Sequence, residues 1–245
     1  MQCESATDGI VRMRGSVFMS DSTTVGIADP KSRRKAAIRR ITVTAILTAM
    51  AFVLMYLEVP LPFMPPFLKF DFSEVPVLVG AFSLGPVWGI VIELLKNLIH
   101  LPFSHTMGIG ELSNFITGSL FVGISGLVYL KLHTRKGAAV AMAVGTIALA
   151  VIAVPINAYV TLPLYGAVMN YPMAAILESS SKVNPLIKDK TTLLLFAFVP
   201  FNLFKGIVVS AITFFVYKPV SKLIHKTREI TRGVKDEAEP EMKQA

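Results

Sequence analysis

Cysteine is all but missing from this chain: Cys3 is the single one among 245 residues. A lone thiol closes no internal disulfide and cannot build a cysteine metal centre. Charge is scarce as well, at 16% of residues. There is no Gly-x-x-x-x-Gly-Lys-Ser/Thr stretch, so the chain lacks the phosphate loop with which to hydrolyse ATP. There is no His-Glu-x-x-His and no paired-aspartate metal motif, and isolated carboxylates do not make a reaction. The chain therefore reads as a non-enzyme. The first forty or so residues hold no continuous apolar stretch of the kind a cleavable signal peptide needs. The hydropathy shows no inverted repeat, which counts against a freestanding channel or secondary carrier.

What is present in quantity is hydrocarbon. The chain is 53% hydrophobic with a mean hydropathy of +0.61, too apolar for an ordinary soluble domain. A net charge of +8 could suggest nucleic acid. The lysines and arginines instead concentrate at the two ends and in one short loop, the pattern of cytoplasm-facing segments of a membrane protein. The expected partner is a lipid bilayer, not nucleic acid.

Residues 1–38 are polar and end in the basic run Lys31-Ser32-Arg33-Arg34-Lys35. They read as a disordered arm with a basic juxtamembrane stop, and Met13 or Met19 is as good a start as Met1. A first span is expected over 41–57. Its Ala45 and Ala49, four residues apart, either permit close helix approach in lipid or reflect the common use of alanine there. Next, Pro60, Pro62, Pro65 and Pro66 forbid a regular helix across 58–67, leaving a lid or a rigid connector. Asp71-Phe72-Ser73-Glu74-Val75-Pro76 carries helix-start chemistry for a short apolar helix ending near Leu84, and capping is the default role of Asp71 and Glu74.

Gly85-Pro86 turns the chain into a third span reaching Leu101. Within it Glu93 and Asn97 share a face, and Lys96 lies within reach of Glu93. An internal Glu–Lys pair and a ligand contact are both open there. His100 and His105 read as solvated loop residues. The fourth span, 109–130, starts with Glu111 and Asn114 on one face, for capping or for ligand contact. The basic segment 131–136 leads to a fifth span, 138–164, that contains Pro155 and Asn157. Residues 166–190 form the longest outer loop. The sixth span, 193–217, carries Pro200-Phe201-Asn202-Leu203-Phe204-Lys205-Gly206, and the charged tail follows.

The expected fold is therefore an all-α membrane protein of six transmembrane helices, with both termini cytoplasmic. Its parts are an arm over 1–38, a substrate-binding domain over 39–220 and a cytoplasmic tail over 221–245. Asn202 and Lys205, three residues apart, share one face of the sixth span, where a buried lysine must meet protein or water. Counted from the outer ends of their spans, Glu93, Asn97, Asn157, Asn202 and Lys205 all fall about 8–18 Å deep. Amides, an acid and a lysine in one layer suit a pocket opening outward. Asparagine offers a donor and an acceptor together, matching a uracil-like ring edge. Phe63, Phe67, Phe72, Phe201 and Phe204 offer flat walls or plain packing. A planar heterocycle with a polyol tail fits this set.

Those motifs, together with Gly80-Ala81-Phe82, Glu93-Leu94-Leu95-Lys96-Asn97 and Gly110-Glu111-Leu112-Ser113-Asn114-Phe115, resemble the riboflavin-specific S-component of energy-coupling factor (ECF) vitamin transporters. The similarity covers about residues 40–220. It implies a bacterial cytoplasmic-membrane subunit that binds riboflavin with high affinity as transported substrate, with no cofactor of its own. It implies partners too: a transmembrane coupling protein and two ATP-binding-cassette ATPases. By the resemblance, Asn202 and Lys205 bond the isoalloxazine ring, Asn157 and Glu93 reach the ring edge or ribityl hydroxyls, and Asn97 matches the motif. Ala45 and Ala49 resemble the small-residue motif that docks such subunits onto the coupling protein. The alternatives are an S-component for another vitamin or heterocycle, and an intramembrane enzyme built on Glu93, Glu111 or the Asp71/Glu74 pair.

Overall fold

The computed structural model describes residues 30–217. The readings of the arm before Pro30, with Cys3, Met13 and Met19, and of the tail from Lys218 lie outside those residues. Contacts separate a unit ending at Ala37 from one beginning at Ile38, and the bundle described here is the second.

Helix α1 (Pro30–Tyr56) starts on a proline, the residue whose missing N–H costs nothing in a first turn. It begins earlier than hydropathy suggests, so the basic run at 31–35 lies in its first turns. A two-residue strand pair, β1 (Val59–Pro60) and β2 (Lys69–Phe70), follows. Helix α2 (Glu74–Leu84) ends at Gly85, whose φ of 107° only glycine adopts without strain. Pro86 then opens α3 (Pro86–His100), and α4 (Ile109–Leu132) comes next. Thr134 caps α5 (Arg135–Met169), its hydroxyl accepting from the Gly137 N–H. Helix α6 (Met173–Val183) lies inside the stretch expected to be a loop. Helix α7 (Lys190–Tyr217) is capped by Asp189. The Thr192 backbone N–H reaches that carboxylate at 2.8 Å and holds it below the ordinary aspartate pKa.

Among the described residues, four helices are long and apolar enough to cross a membrane: Arg34–Tyr56 within α1, α4, α5 and α7. With 11 and 15 residues, α2 and α3 are shorter than a full crossing of a core about 30 Å thick. Helix α3 still declares its medium. Glu93 and Lys96 on its inner side are 0% exposed, while Leu98 and Ile99 are 50% and 46% exposed. A helix that hides its charges and shows its leucines is stable in lipid, where the outward face meets hydrocarbon and the polar groups must find partners inside.

The interior has two apolar centres. One joins Leu47 of α1 to Leu78 of α2, Ile92 of α3, Phe121 of α4 and Met142 of α5. The other gathers Leu68 and Phe70 with Tyr165 of α5, Ile176 of α6 and Phe198 of α7.

Candidate functional site

The proline-rich segment between α1 and α2 is a small hairpin. Val59 pairs with Phe70 and Pro60 with Lys69, and Glu58 forms an ion pair with Lys69 at its base. The prolines stiffen the loop, while Met64 and Leu68 close tight turns onto Leu61 and Pro65. Met64, Leu68 and Phe70 are buried, so the hairpin is anchored by its own apolar side chains. Beneath it lies a cavity of about 460 Å³ whose wall includes Phe67, Asp71, Asn114, Asn157, Asn202 and Lys205. That volume is within the range of small-molecule sites. Phe67 packs on Tyr165 and on Phe198, giving the cavity an aromatic side. Of the five expected walls, Phe67 and Phe201 line it. Phe72 packs edge-on against Phe70, and Phe63 against Phe204.

Both asparagines stand beside irregular helix. In α5 a π-helical turn, Asn157–Thr161, follows Pro155, and the Leu162 N–H reaches back five residues to the Asn157 carbonyl. In α7 the same kind of turn, Leu194–Phe198, runs up to Pro200, which has no N–H to continue the ladder. Such turns re-aim the side chains around them. Asn157 then directs its amide nitrogen to the Ala153 carbonyl at 2.7 Å, and Asn202 to the Phe198 carbonyl at 2.8 Å. A carbonyl can only accept, so each asparagine must turn its NH2 that way. The amide oxygen and a second N–H of each remain for other partners.

Lys205 completes this wall. Its ammonium lies 3.2 Å from an Asp71 carboxylate oxygen and 3.1 Å from the Asn114 amide oxygen. The helix start itself has Ser73 at its N-cap and no side-chain cap, so Asp71 shapes the turn before α2 instead: its other oxygen accepts from the Ser73 N–H at 2.8 Å. Its tie to Lys205, and the place of Asn114 on the wall, are additions to the expected set.

Asn157, Asn202 and Lys205 thus meet at one cavity. Glu93 and Asn97 stand behind its wall. Glu93 pairs with Lys96 at 2.9 Å, the internal Glu–Lys pair that its spacing allowed. Lys96 also reaches Glu74 at 2.9 Å and the Ser73 hydroxyl at 2.7 Å. Asn97 donates to the Glu93 side chain at 3.0 Å and accepts from Asn114 at 3.4 Å. Their helix packs on α2 and α4, and neither side chain lines the open space.

His100 corrects the expectation of a solvated loop residue. Helix α3 continues through it, it is buried, and its Nδ1 lies 2.9 Å from a Glu111 carboxylate oxygen. The other Glu111 oxygen accepts from the Ser104 hydroxyl at 2.7 Å. Glu111 therefore ties the α3–α4 loop to the start of α4 and borders the cavity as well. His105 is exposed, as expected. Among the described residues, no group of three or more His, Cys, Asp or Glu could hold a metal ion. On α1, Ala45 and Ala49 are both exposed on the outward side.

Known proteins resemble this chain across the described bundle. The model of the ECF transporter substrate-specific component matches residues 39–217. The chain is 32% identical over 188 residues to the riboflavin transporter RibU of Staphylococcus aureus, covering 77% of this chain and 93% of that one. It is 31% identical over 194 residues to the riboflavin transporter FmnP of Bacillus subtilis, covering 78% and 96%. A solved structure of the S component of a bacterial ECF transporter superposes with a TM-score of 0.62 at 30% identity, covering 77% of this chain and 98% of that one.

Proposed function

The chain belongs to the family of ECF transporter substrate-specific components, and from that premise we propose that it captures riboflavin for uptake, holding it in the cavity under the hairpin. It is a membrane-embedded binding subunit and not an enzyme. The observation that carries the reading is the meeting of Asn157, Asn202 and Lys205 on one wall of that cavity, with Phe67, Tyr165 and Phe198 nearby. The asparagines offer donor and acceptor atoms in the plane of a flat ring, Lys205 offers an N–H, and the aromatic rings offer a face to stack on. Asn202 and Lys205 bond the ring system, and Asn157 reaches its edge or the ribityl hydroxyls. Glu93 and Asn97 act on the ligand from behind the wall, through Asn114.

The bundle over 39–220 sits in the bacterial cytoplasmic membrane with the cavity open to the outside, six helices in the bilayer and both termini in the cytoplasm. This orientation is supported by the exposed basic segment at 131–136. That segment lies about 30 Å along α4 from Glu111, at the end away from the cavity. Without a phosphate loop of its own, the chain depends for energy on a transmembrane coupling protein and two ATP-binding-cassette subunits. The coupling protein docks on the outward α1 face around Ala45 and Ala49.

The visible absorption spectrum of the detergent-purified protein tests the reading. A yellow protein that releases a flavin on denaturation supports it. A colourless protein that fails to quench added riboflavin fluorescence overturns it.

A further inference from the structure

We infer that Asp71 and Asn114 are positioning residues that hold Lys205 so that one N–H of its ammonium is left for the ligand. The inference rests on the riboflavin reading of the cavity.

A lysine ammonium has three N–H donors and no acceptor. Two donors of Lys205 are directed at Asp71 and Asn114, at 3.2 and 3.1 Å. The next acceptor, a Glu74 carboxylate oxygen, lies further off at 3.6 Å. Lys205 and Asp71 are each about nine-tenths buried yet both line the cavity, so the remaining N–H has the cavity before it.

The sense of the bonds behind Lys205 is dictated at both ends. Because Lys205 can only donate, Asn114 must present its oxygen to it and its NH2 to Asn97. Asn97 must then present its oxygen to Asn114 and its NH2 to Glu93, whose carboxylate and backbone carbonyl accept at 3.0 and 2.8 Å. The chain Lys205–Asn114–Asn97–Glu93 therefore has one self-consistent orientation, set by a donor-only group at one end and acceptors at the other. Asp71 is fixed independently, by the Ser73 N–H on its second oxygen. Two rigid acceptors reach Lys205, one from the turn before α2 and one from α4, and a flexible four-carbon side chain is thereby held in one position. A ligand then meets a donor already in place and loses little entropy in ordering it.

The test is a riboflavin fluorescence-quenching titration of the full chain in detergent, with Asp71→Asn, Asn114→Leu, Lys205→Met and the two double variants that combine the last with each of the others. Asp71→Asn keeps an oxygen for the Ser73 N–H, so it alters the tie to Lys205 rather than the start of α2. Each single positioning variant should weaken binding about tenfold, as for a lost hydrogen bond to a charged group. In the Lys205→Met background the same changes should alter affinity by less than about twofold, because their effect passes through Lys205. A merely structural role would lower affinity by the same factor in both backgrounds, and that result overturns the inference, as does full affinity in both single variants. Should Asp71→Asn yield no folded protein, the Asn114→Leu pair carries the same comparison. A wild-type protein that does not quench riboflavin fluorescence overturns the ligand reading itself, and the inference with it.

Discussion

The ammonium of Lys96 in α3 lies 2.9 Å from the Glu74 carboxylate of α2, and both side chains are sealed from solvent. Glu93 holds the same ammonium from the other side. These contacts join two helices that are individually too short to be fixed by a bilayer crossing. Charges in such a place are tolerated only as a set, because removing one member leaves the others buried without compensation.

Lys96→Met should therefore destabilise the bundle by about 3–5 kcal/mol, the cost of breaking a buried pair. Adding Glu74→Gln to that variant should restore part of the loss by removing an orphaned charge. Thermal unfolding in detergent reads both effects. A Lys96→Met protein that unfolds at the wild-type temperature would show that this cluster does not hold α2 to α3.

Asn202→Ala removes an amide whose nitrogen is bonded to the Phe198 carbonyl and whose oxygen is available to a ligand. Riboflavin binding should weaken by about 1–3 kcal/mol, the range for a desolvated hydrogen bond. Asn157→Ala should do the same, since that residue repeats the arrangement on α5. Quenching titrations measure both. Unchanged affinity in either variant removes that asparagine from the site.

Much of this site is legible in the chain because hydrocarbon is an unforgiving solvent. Asn157, Asn202 and Lys205 lie in apolar runs, and a polar group there must turn inward. Their distances from the span ends count them to one layer, and all three line one cavity. Depth says nothing about direction around a helix axis, however, so Glu93 and Asn97, counted to the same depth, do not line that cavity. Asp71 shows a second limit. Its turn bond to Ser73 is local and within reach of the sequence, whereas its bond to Lys205 spans 134 residues and is not. His100 is the last residue of α3, and the partner that buries it, Glu111, comes from the next helix, so no local signal separates it from the loop that follows. Helix α6 was obscured by its serines, Ser179-Ser180-Ser181, of which Ser180 is buried with its hydroxyl bonded to the Ile176 carbonyl. The π-helical turns beside Pro155 and Pro200 leave only the prolines as a trace.

Glu111 takes bonds from His100 and Ser104 at once, so it clamps the α3–α4 loop over one side of the cavity. Glu111→Ala should free that loop and leave a buried histidine without its partner. Proteolysis within 101–108 should become faster, and riboflavin should dissociate faster in stopped-flow displacement. Glu111→Gln keeps an acceptor for Ser104 and should show a smaller change in both. Equal dissociation rates in wild type and Glu111→Ala would mean that the clamp has no part in retaining the ligand.

Ala45 and Ala49 make no contribution to the cavity wall, yet both are exposed on α1 beside the outward-facing Ile46, Met50 and Val53. Two small residues four apart form a shallow notch where another helix can approach closely, and in lipid such packing is a main source of helix association. Ala45→Trp fills that notch without touching the bundle interior. Riboflavin affinity of the purified variant should equal that of wild type, while uptake into cells carrying the rest of the transporter should be abolished. The two readouts separate the roles: lost affinity would mean that α1 shapes the cavity, and preserved uptake would mean that the coupling protein docks on a different face.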